Sequence, residues 1–236
     1  MPKLVIDIET IGVDYDSLDE VTKKNLTYWA EKEAEDEEDL ALKITDIKER
    51  LSFSPLTGQI IVVGIFDLEK GSGLIYYQTP ESNLKESTEN NFIFKPCTEK
   101  EMLTFFWQQA KNYTEFISFN GRGFDAPYLI LRSAINQIKP SVNLMAYRYI
   151  ESQKMGPIHV DLLDQLTFYG AVRRKSSLHL FCQAFGIKSP KAEGITGDNL
   201  AELFKTKEYL KIARYNSGDL IATAQLYQSW EKYVKM

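Results

Sequence analysis

Leu4-Val5-Ile6-Asp7-Ile8-Glu9-Thr10 decides how the rest of this 236-residue chain is read. Side chains alternate across a strand, so Leu4, Ile6 and Ile8 face one way while Val5, Asp7 and Glu9 face the other. The two carboxylates then stand about 6–7 Å apart at their bases, on one face. A strand this apolar is expected to be buried on both sides, where two unpaired negative charges are costly. A cation should compensate them, and hard divalent ions such as Mg²⁺ or Mn²⁺ prefer oxygen ligands. Asp-x-Glu is also an ordinary strand ending, so further ligands must be sought along the chain.

Outward from that strand, Gln59–Asp67 is a continuous apolar run and a second buried strand. Gly71-Ser72-Gly73 turns it into a third, Leu74–Gln78, forming a hairpin. Residues 79–91 read as a polar excursion, and Phe92-Ile93-Phe94 as a brief strand. Thr98 and Glu101 have capping-box spacing ahead of a helix burying Met102, Phe105, Phe106 and Ala110. Glu115–Phe119 is the fourth main strand, followed by a helix over Ala126–Ile135; Ile158–Leu163 is the fifth. Ser176-Ser177 caps a helix that ends at Gly186, Asp198–Phe204 is short, and Glu208–Val234 is long. The alternation predicts one α/β domain over residues 1–236, a mixed five-stranded sheet with helices on both faces. Residues 14–55 read as a charged helical insertion. Its acidic run Glu31–Asp39 is a solvated or disordered stretch, and Leu40, Ile44, Ile47 and Leu51 mark a short amphipathic helix ending near Pro55.

Composition narrows the class. Hydrophobic residues make up 44% and aromatic residues 12% of the chain, as in a soluble globular protein. No apolar run approaches the roughly 18–20 residues that span a bilayer, and a strand starting at Leu4 leaves no room for a cleavable leader. Cys97 and Cys182 form no Cys-x-x-Cys and are expected to be buried free thiols, which suits a reducing cytoplasm. A net charge of −5 offers no general attraction for nucleic acid, so such a partner would be held locally or through metal ions.

Three further residues stand out. Asp125 follows a strand and two glycines at the mouth of a helix, where a carboxylate can cap the helix or serve a ligand. Tyr215 and Asp219 are four apart on the last helix, hence on one face, polar amid apolar neighbours. Each has a bland reading alone: a cap, a core-edge tyrosine, an amphipathic rim.

Together, Asp7-Ile8-Glu9-Thr10, Asn120-x-x-x-Phe124-Asp125 and Tyr215-x-x-x-Asp219 resemble the three motifs of the DEDDy 3′–5′ exonucleases, which have a ribonuclease H-like fold. Asn-x-x-x-Phe-Asp is particularly similar to the exonuclease domains of B-family DNA polymerases. Asp161-Leu162-Leu163, Ser177-Leu178, Phe185-Gly186-Ile187 and Lys191-x-x-Gly194 resemble stand-alone predicted exonucleases of that group. Arg214 stands where the sister subgroup carries a catalytic histidine, which selects the tyrosine subgroup.

The resemblance implies two divalent ions, Mg²⁺ or Mn²⁺, on Asp7, Glu9, Asp125 and Asp219, with Asp7 bridging both. It implies that Tyr215 orients the attacking water and that Glu9 contacts the terminal 3′-hydroxyl. The expected activity is stepwise hydrolysis at the 3′ end of single-stranded DNA, or less favourably RNA, releasing nucleoside 5′-monophosphates. A replication or repair protein is a possible partner, and no membrane is involved. The alternatives are an inactive nucleic-acid-binding or scaffold protein on this fold, and a structure-specific endonuclease. Thr10, Asn120, Arg122 and Phe124 flank the motifs as candidate substrate contacts, with turn stabilisation an equal reading for the last three. Arg173-Arg174-Lys175 is the one basic cluster and a candidate phosphate contact. Asp161 reads as a supporting residue, and His159 and His179 as core or surface groups.

Overall fold

Strand β1 (Lys3–Gly12) is the third strand from one edge of a seven-stranded sheet, in a computed structural model that describes residues 2–80, 83–174, 176–189 and 199–235. After it come two helices, α1 (Glu20–Glu33) and α2 (Glu37–Arg50). The strands β2 (Gly58–Asp67), β3 (Ser72–Gln78), β4 (Ser87–Glu89) and β5 (Phe92–Cys97) follow, then α3 (Glu99–Ala110). Next are β6 (Glu115–Ser118), α4 (Asp125–Ile135), β7 (Ile158–Asp161) and α5 (Leu162–Leu166). The chain closes with α6 (Leu178–Phe185), α7 (Leu200–Lys205) and the long α8 (Tyr209–Tyr233). The sheet order is β4-β5-β3-β2-β1-β6-β7. β1 pairs antiparallel with β2 and parallel with β6, so the sheet is mixed.

Alternation along β1 divides the core. Leu4, Ile6 and Ile8 pack with Met102, Phe106, Ala126 and Leu129 of α3 and α4 on one face. Val5 and Ile11 join Ile212, Leu220 and Leu226 of α8 on the other. Asp7 and Glu9 therefore point toward α8. Opposite them the β1–β2 register slips, with Glu9 paired to Val62 and Thr10 to Ile60. The extra residue is Ile61, and Ile61 and Val62 both end up in the α8-side core, as a β-bulge requires.

Two expectations are corrected here. The sheet has seven strands, because Phe92–Cys97 is a full strand and Ser87-Thr88-Glu89 pairs antiparallel with it at the edge. That edge strand carries no apolar alternation; ladder hydrogen bonds rather than burial hold it. Cys97 is half-buried, whereas Cys182 is buried; both thiols are free.

The acidic run is divided between the end of α1 and the first turn of α2. Asp36 caps α2 by accepting from the Asp39 N–H, and Glu37, Glu38 and Asp39 oppose the helix dipole. No residue of α2 is buried, so the pair is tied down at its end. There, Leu51 packs against Gly12, where an added Cβ would lie 2.7 Å from the Leu51 Cβ. The Lys191-x-x-Gly194 motif and Asp198 lie outside the described residues, and α7 begins at Leu200.

Candidate active site

Asp7 and Glu9 leave β1 on its α8 side, and Asp219 comes down to meet them from the middle of α8. Each offers an oxygen, and these atoms all lie within 4.8 Å of one another. Burial, and then the charges of Asp125, Glu9 and Asp219, hold the Asp7 carboxyl well above the usual carboxylate range. Tyr215 stands one turn before Asp219, is only 9% exposed, and lies within the field of the Asp219, Glu9 and Asp7 carboxylates. Burial and the three neighbouring carboxylates raise its phenol far above the ordinary value. At neutral pH it is a donor. The chemistry of this set suits a hard cation: three oxygens converge, and their mutual repulsion is relieved when one binds.

Asn216, which the motif reading passed over, completes the cluster. It is fully buried, and its Nδ2 donates to Asp7 Oδ2 at 2.7 Å and to Glu9 Oε1 at 3.3 Å. Its Oδ1 accepts no hydrogen bond among the described residues. The opposite amide orientation would turn that oxygen onto two carboxylates, so the donors must face them. Gly64, which pairs with Asp7 across the β1–β2 ladder, makes the room. A Cβ there would stand 1.9 Å from Asn216 Oδ1 and 2.7 Å from Leu220 Cδ1. An asparagine beside a tyrosine carries no periodic signal. The signals available were the polar Asn216 on an apolar helix face and a glycine inside an apolar strand.

Asp125 is placed differently. It opens α4, is buried, and accepts the Ile8 N–H through Oδ1 at 3.0 Å. β6 ends at Ser118 while β1 continues, so this carboxylate satisfies a backbone donor past the end of the neighbouring strand. Burial pushes its pKa up to about 7, against the opposing effect of that N–H and its own. Asp125 acts on Asp7 through charge but is not one of the three convergent ligands.

Asp161 organises the turn that carries Asp125. It accepts from the backbone N–H groups of Asn120 (2.8 Å), Arg122 (2.9 Å) and Leu163 (3.0 Å). Asn120 takes the left-handed conformation, φ 61°, which asparagine tolerates. Gly121 crosses Ser118 so closely that a Cβ would be 2.2 Å from its Oγ. Arg122 donates to the carbonyls of Leu144 (3.3 Å) and Ala146 (2.6 Å), fastening the next loop. The Phe124 ring lies against Tyr128 and Phe53, at 5.3 and 6.3 Å between centroids. Thr10 donates its hydroxyl to the Ser52 carbonyl at 2.9 Å, joining β1 to the segment after α2. Arg173 and Arg174 are exposed in the segment before α6; Lys175 lies outside the described residues.

His159 is buried beneath this turn. Its Nδ1–H donates to the Leu144 carbonyl, leaving Nε2 to accept from the Ser118 hydroxyl. Burial lowers its pKa to about 4, so it is neutral. His179 bonds Ser189. On α6, which packs against α8, burial and then the charge of Asp219 push the Cys182 thiol up to about 11.

A mixed sheet of the ribonuclease H-like kind thus carries two carboxylates on β1, meets a third from α8 and sets a tyrosine beside them. The chain belongs to the family described as predicted 3′–5′ exonuclease related to the exonuclease domain of PolB, whose model matches residues 84–235. That span holds Asp125, Tyr215 and Asp219; Asp7 and Glu9 precede it. The structure is similar to the family B DNA polymerase from the hyperthermophilic archaeon Pyrobaculum calidifontis, with a TM-score of 0.59 at 17% identity. The match covers 98% of this chain and 24% of that polymerase, and at this identity it is a likeness of fold. No curated protein sequence is matched. No helix among the described residues is long and apolar enough to cross a membrane.

Proposed function

We propose that this chain is a 3′–5′ exonuclease of the DEDDy type. It would act on single-stranded nucleic acid, DNA in preference to RNA, and release nucleoside 5′-monophosphates. The observation that carries this reading is the convergence of Asp7, Glu9 and Asp219 within 4.8 Å, with the Tyr215 phenol in their electrostatic field. Residues 1–236 would form one exonuclease domain, with about 14–55 as a charged insertion. Free thiols suit a cytoplasmic setting, and a replication or repair protein is the partner class for such an activity.

Two divalent ions, Mg²⁺ or Mn²⁺, would be held by Asp7, Glu9 and Asp219 with Asp125 as fourth carboxylate, and would supply phosphate charge neutralisation and a more acidic water. Asn216 holds the Asp7 and Glu9 carboxylates in place. Tyr215, protonated throughout the physiological range, orients the attacking water and gives up no proton. The water would attack phosphorus and lose a proton to solvent, the bond to the penultimate nucleotide's 3′ oxygen would break, and that oxygen would take a proton from solvent as it leaves. Glu9 would read the terminal 3′-hydroxyl. Thr10, Asn120 and Arg122 have structural bonds of their own, so their substrate contacts would come from remaining polar atoms; Phe124 offers a ring edge.

The test is incubation of 5′-labelled DNA and RNA strands with Mg²⁺ or Mn²⁺, with Asp7→Ala as control. A descending ladder lost in the control is expected. One internal cut would assign an endonuclease instead, and binding without turnover a scaffold.

A further inference from the structure

We propose that Tyr147, Tyr149 and Phe168 form a stacking platform for unpaired bases of single-stranded nucleic acid, with Arg173 and Arg174 meeting its phosphates. This rests on the exonuclease reading for its role, but its binding can be tested apart from catalysis. The three rings are 70%, 53% and 51% exposed. Large apolar groups are seldom displayed together unless something covers them.

The backbone beneath the platform is strained. Phe168, Tyr169 and Gly170 all have positive φ, at 51°, 56° and 100°. Two consecutive bulky aromatic residues in that region persist only where the surroundings dictate it. Here they do. The Tyr169 hydroxyl accepts from the Ile150 N–H at 3.2 Å and from Gln165 Nε2 at 2.7 Å, and its ring sits 4.7 Å from that of Tyr149. Arg148 pairs with Asp164 through two hydrogen bonds. Tyr169 is thereby pinned inward and Phe168 turned out to solvent, against a loop already stiffened from both sides.

The location and charge favour a nucleic-acid occupant. That loop is fastened to the candidate site through the bond from Arg122 to the Ala146 carbonyl, three residues from Asp125 along the chain. The Val172 N–H bonds the Thr167 carbonyl at 3.0 Å, closing the backbone turn that holds Phe168, and the exposed Arg173 and Arg174 follow directly in sequence. Exposed rings interleaved with arginines are what a single strand needs: every base has a π-face, and the backbone requires cations. A duplex presents no such face.

Fluorescence anisotropy of labelled dT12 and rU12 with EDTA present reads binding without hydrolysis. Tyr147→Ala and Phe168→Ala should each weaken binding about 5- to 100-fold. Loss with one polymer alone would assign the platform to that polymer. Phe168→Gly relieves the strained φ, so it should match or exceed the wild-type melting temperature while losing affinity equally. Hydrolysis of the p-nitrophenyl ester of thymidine 5′-monophosphate should be unchanged in all three. Failure of the wild-type protein to cleave any substrate would count against the exonuclease reading and leave the binding result standing. Wild-type affinity in the Tyr147→Ala/Phe168→Ala double variant, equal loss on blunt duplex, or no binding by the wild-type protein would overturn the platform.

Discussion

Asn216 is held by two carboxylates on one side and a glycine on the other, and this makes its replacement informative. Asn216→Ala removes both donors to Asp7 and Glu9 and leaves a small void against Gly64. Partners that orient metal ligands typically account for 10–100-fold in metal affinity or activity. We therefore expect a rise of that order in the Mn²⁺ concentration giving half-maximal activity. An unchanged metal titration would show that Asp7 and Glu9 hold their own orientation. Tyr215→Phe probes the other side of Asp219. It keeps the ring's packing and removes one positioning hydrogen bond, so kcat should fall roughly 10–10³-fold with the metal titration unchanged. Loss of metal response in that variant would make Tyr215 a structural prop for Asp219.

Elements meet at the site because one of them approaches closely. Gly64 on β2 lets α8 lie against the sheet, and Gly64→Ala would press on the Asn216 amide and the Leu220 methyl, two fully buried side chains of which Asn216 is also tied to Asp7 and Glu9. The cost should be about 1–3 kcal/mol, read from the midpoint of urea unfolding, and activity should fall with it because Asp219 moves. A second junction joins β6 to β7 through His159. Its folded pKa of about 4 lies below the unfolded 6.5, so the unfolded chain binds more protons between those values. Stability from this group is full above about pH 6.5 and is lost as pH falls toward 4, about 3 kcal/mol in all. Chemical denaturation from pH 7 to 4 should show that slope, and His159→Gln should flatten it. A variant with the same slope as wild type would place acid sensitivity elsewhere.

At the scale of the whole molecule, the proposed exonuclease activity makes charge and site depth the terms that set which ends would be accepted. A scissile phosphate must reach carboxylates that are buried or half-buried, so a paired terminal base has to unstack first, at a few kcal/mol in a duplex. A strongly basic protein recovers that by gripping many phosphates; this chain carries a net −5. Single-stranded or frayed 3′ ends should be degraded faster than blunt ones. The salt dependence should correspond to about two to four phosphates neutralised beyond those met by metal. Competition between one strand offered free and as blunt duplex checks this, and equal rates would mean that another surface supplies the melting energy.

The sequence by itself determined the main strands, the capped helix after Thr98 and the long last helix, while the carboxylates were grouped across the chain only by resemblance to a known family. Those elements rest on local physics: period-2 and period-3.6 burial patterns, cap chemistry and short spacings, each legible within a dozen residues. It left unread the edge strand Ser87–Glu89, whose three polar residues are held only by a neighbour's ladder, and the ordering of the acidic run into two helix ends. Tertiary structure alone decided three further matters. Asp219 joins Asp7 and Glu9 while Asp125 is turned to the Ile8 N–H, because β6 stops short of β1 and leaves that donor open. Arg122, a cation within the Asn120–Asp125 motif, is committed to the Leu144 and Ala146 carbonyls. Asn216 and Gly64, 152 positions apart in sequence, are in contact. Such pairings depend on which backbone groups are left unsatisfied and which surfaces approach closely, and those are properties of the assembled sheet rather than of any stretch of chain.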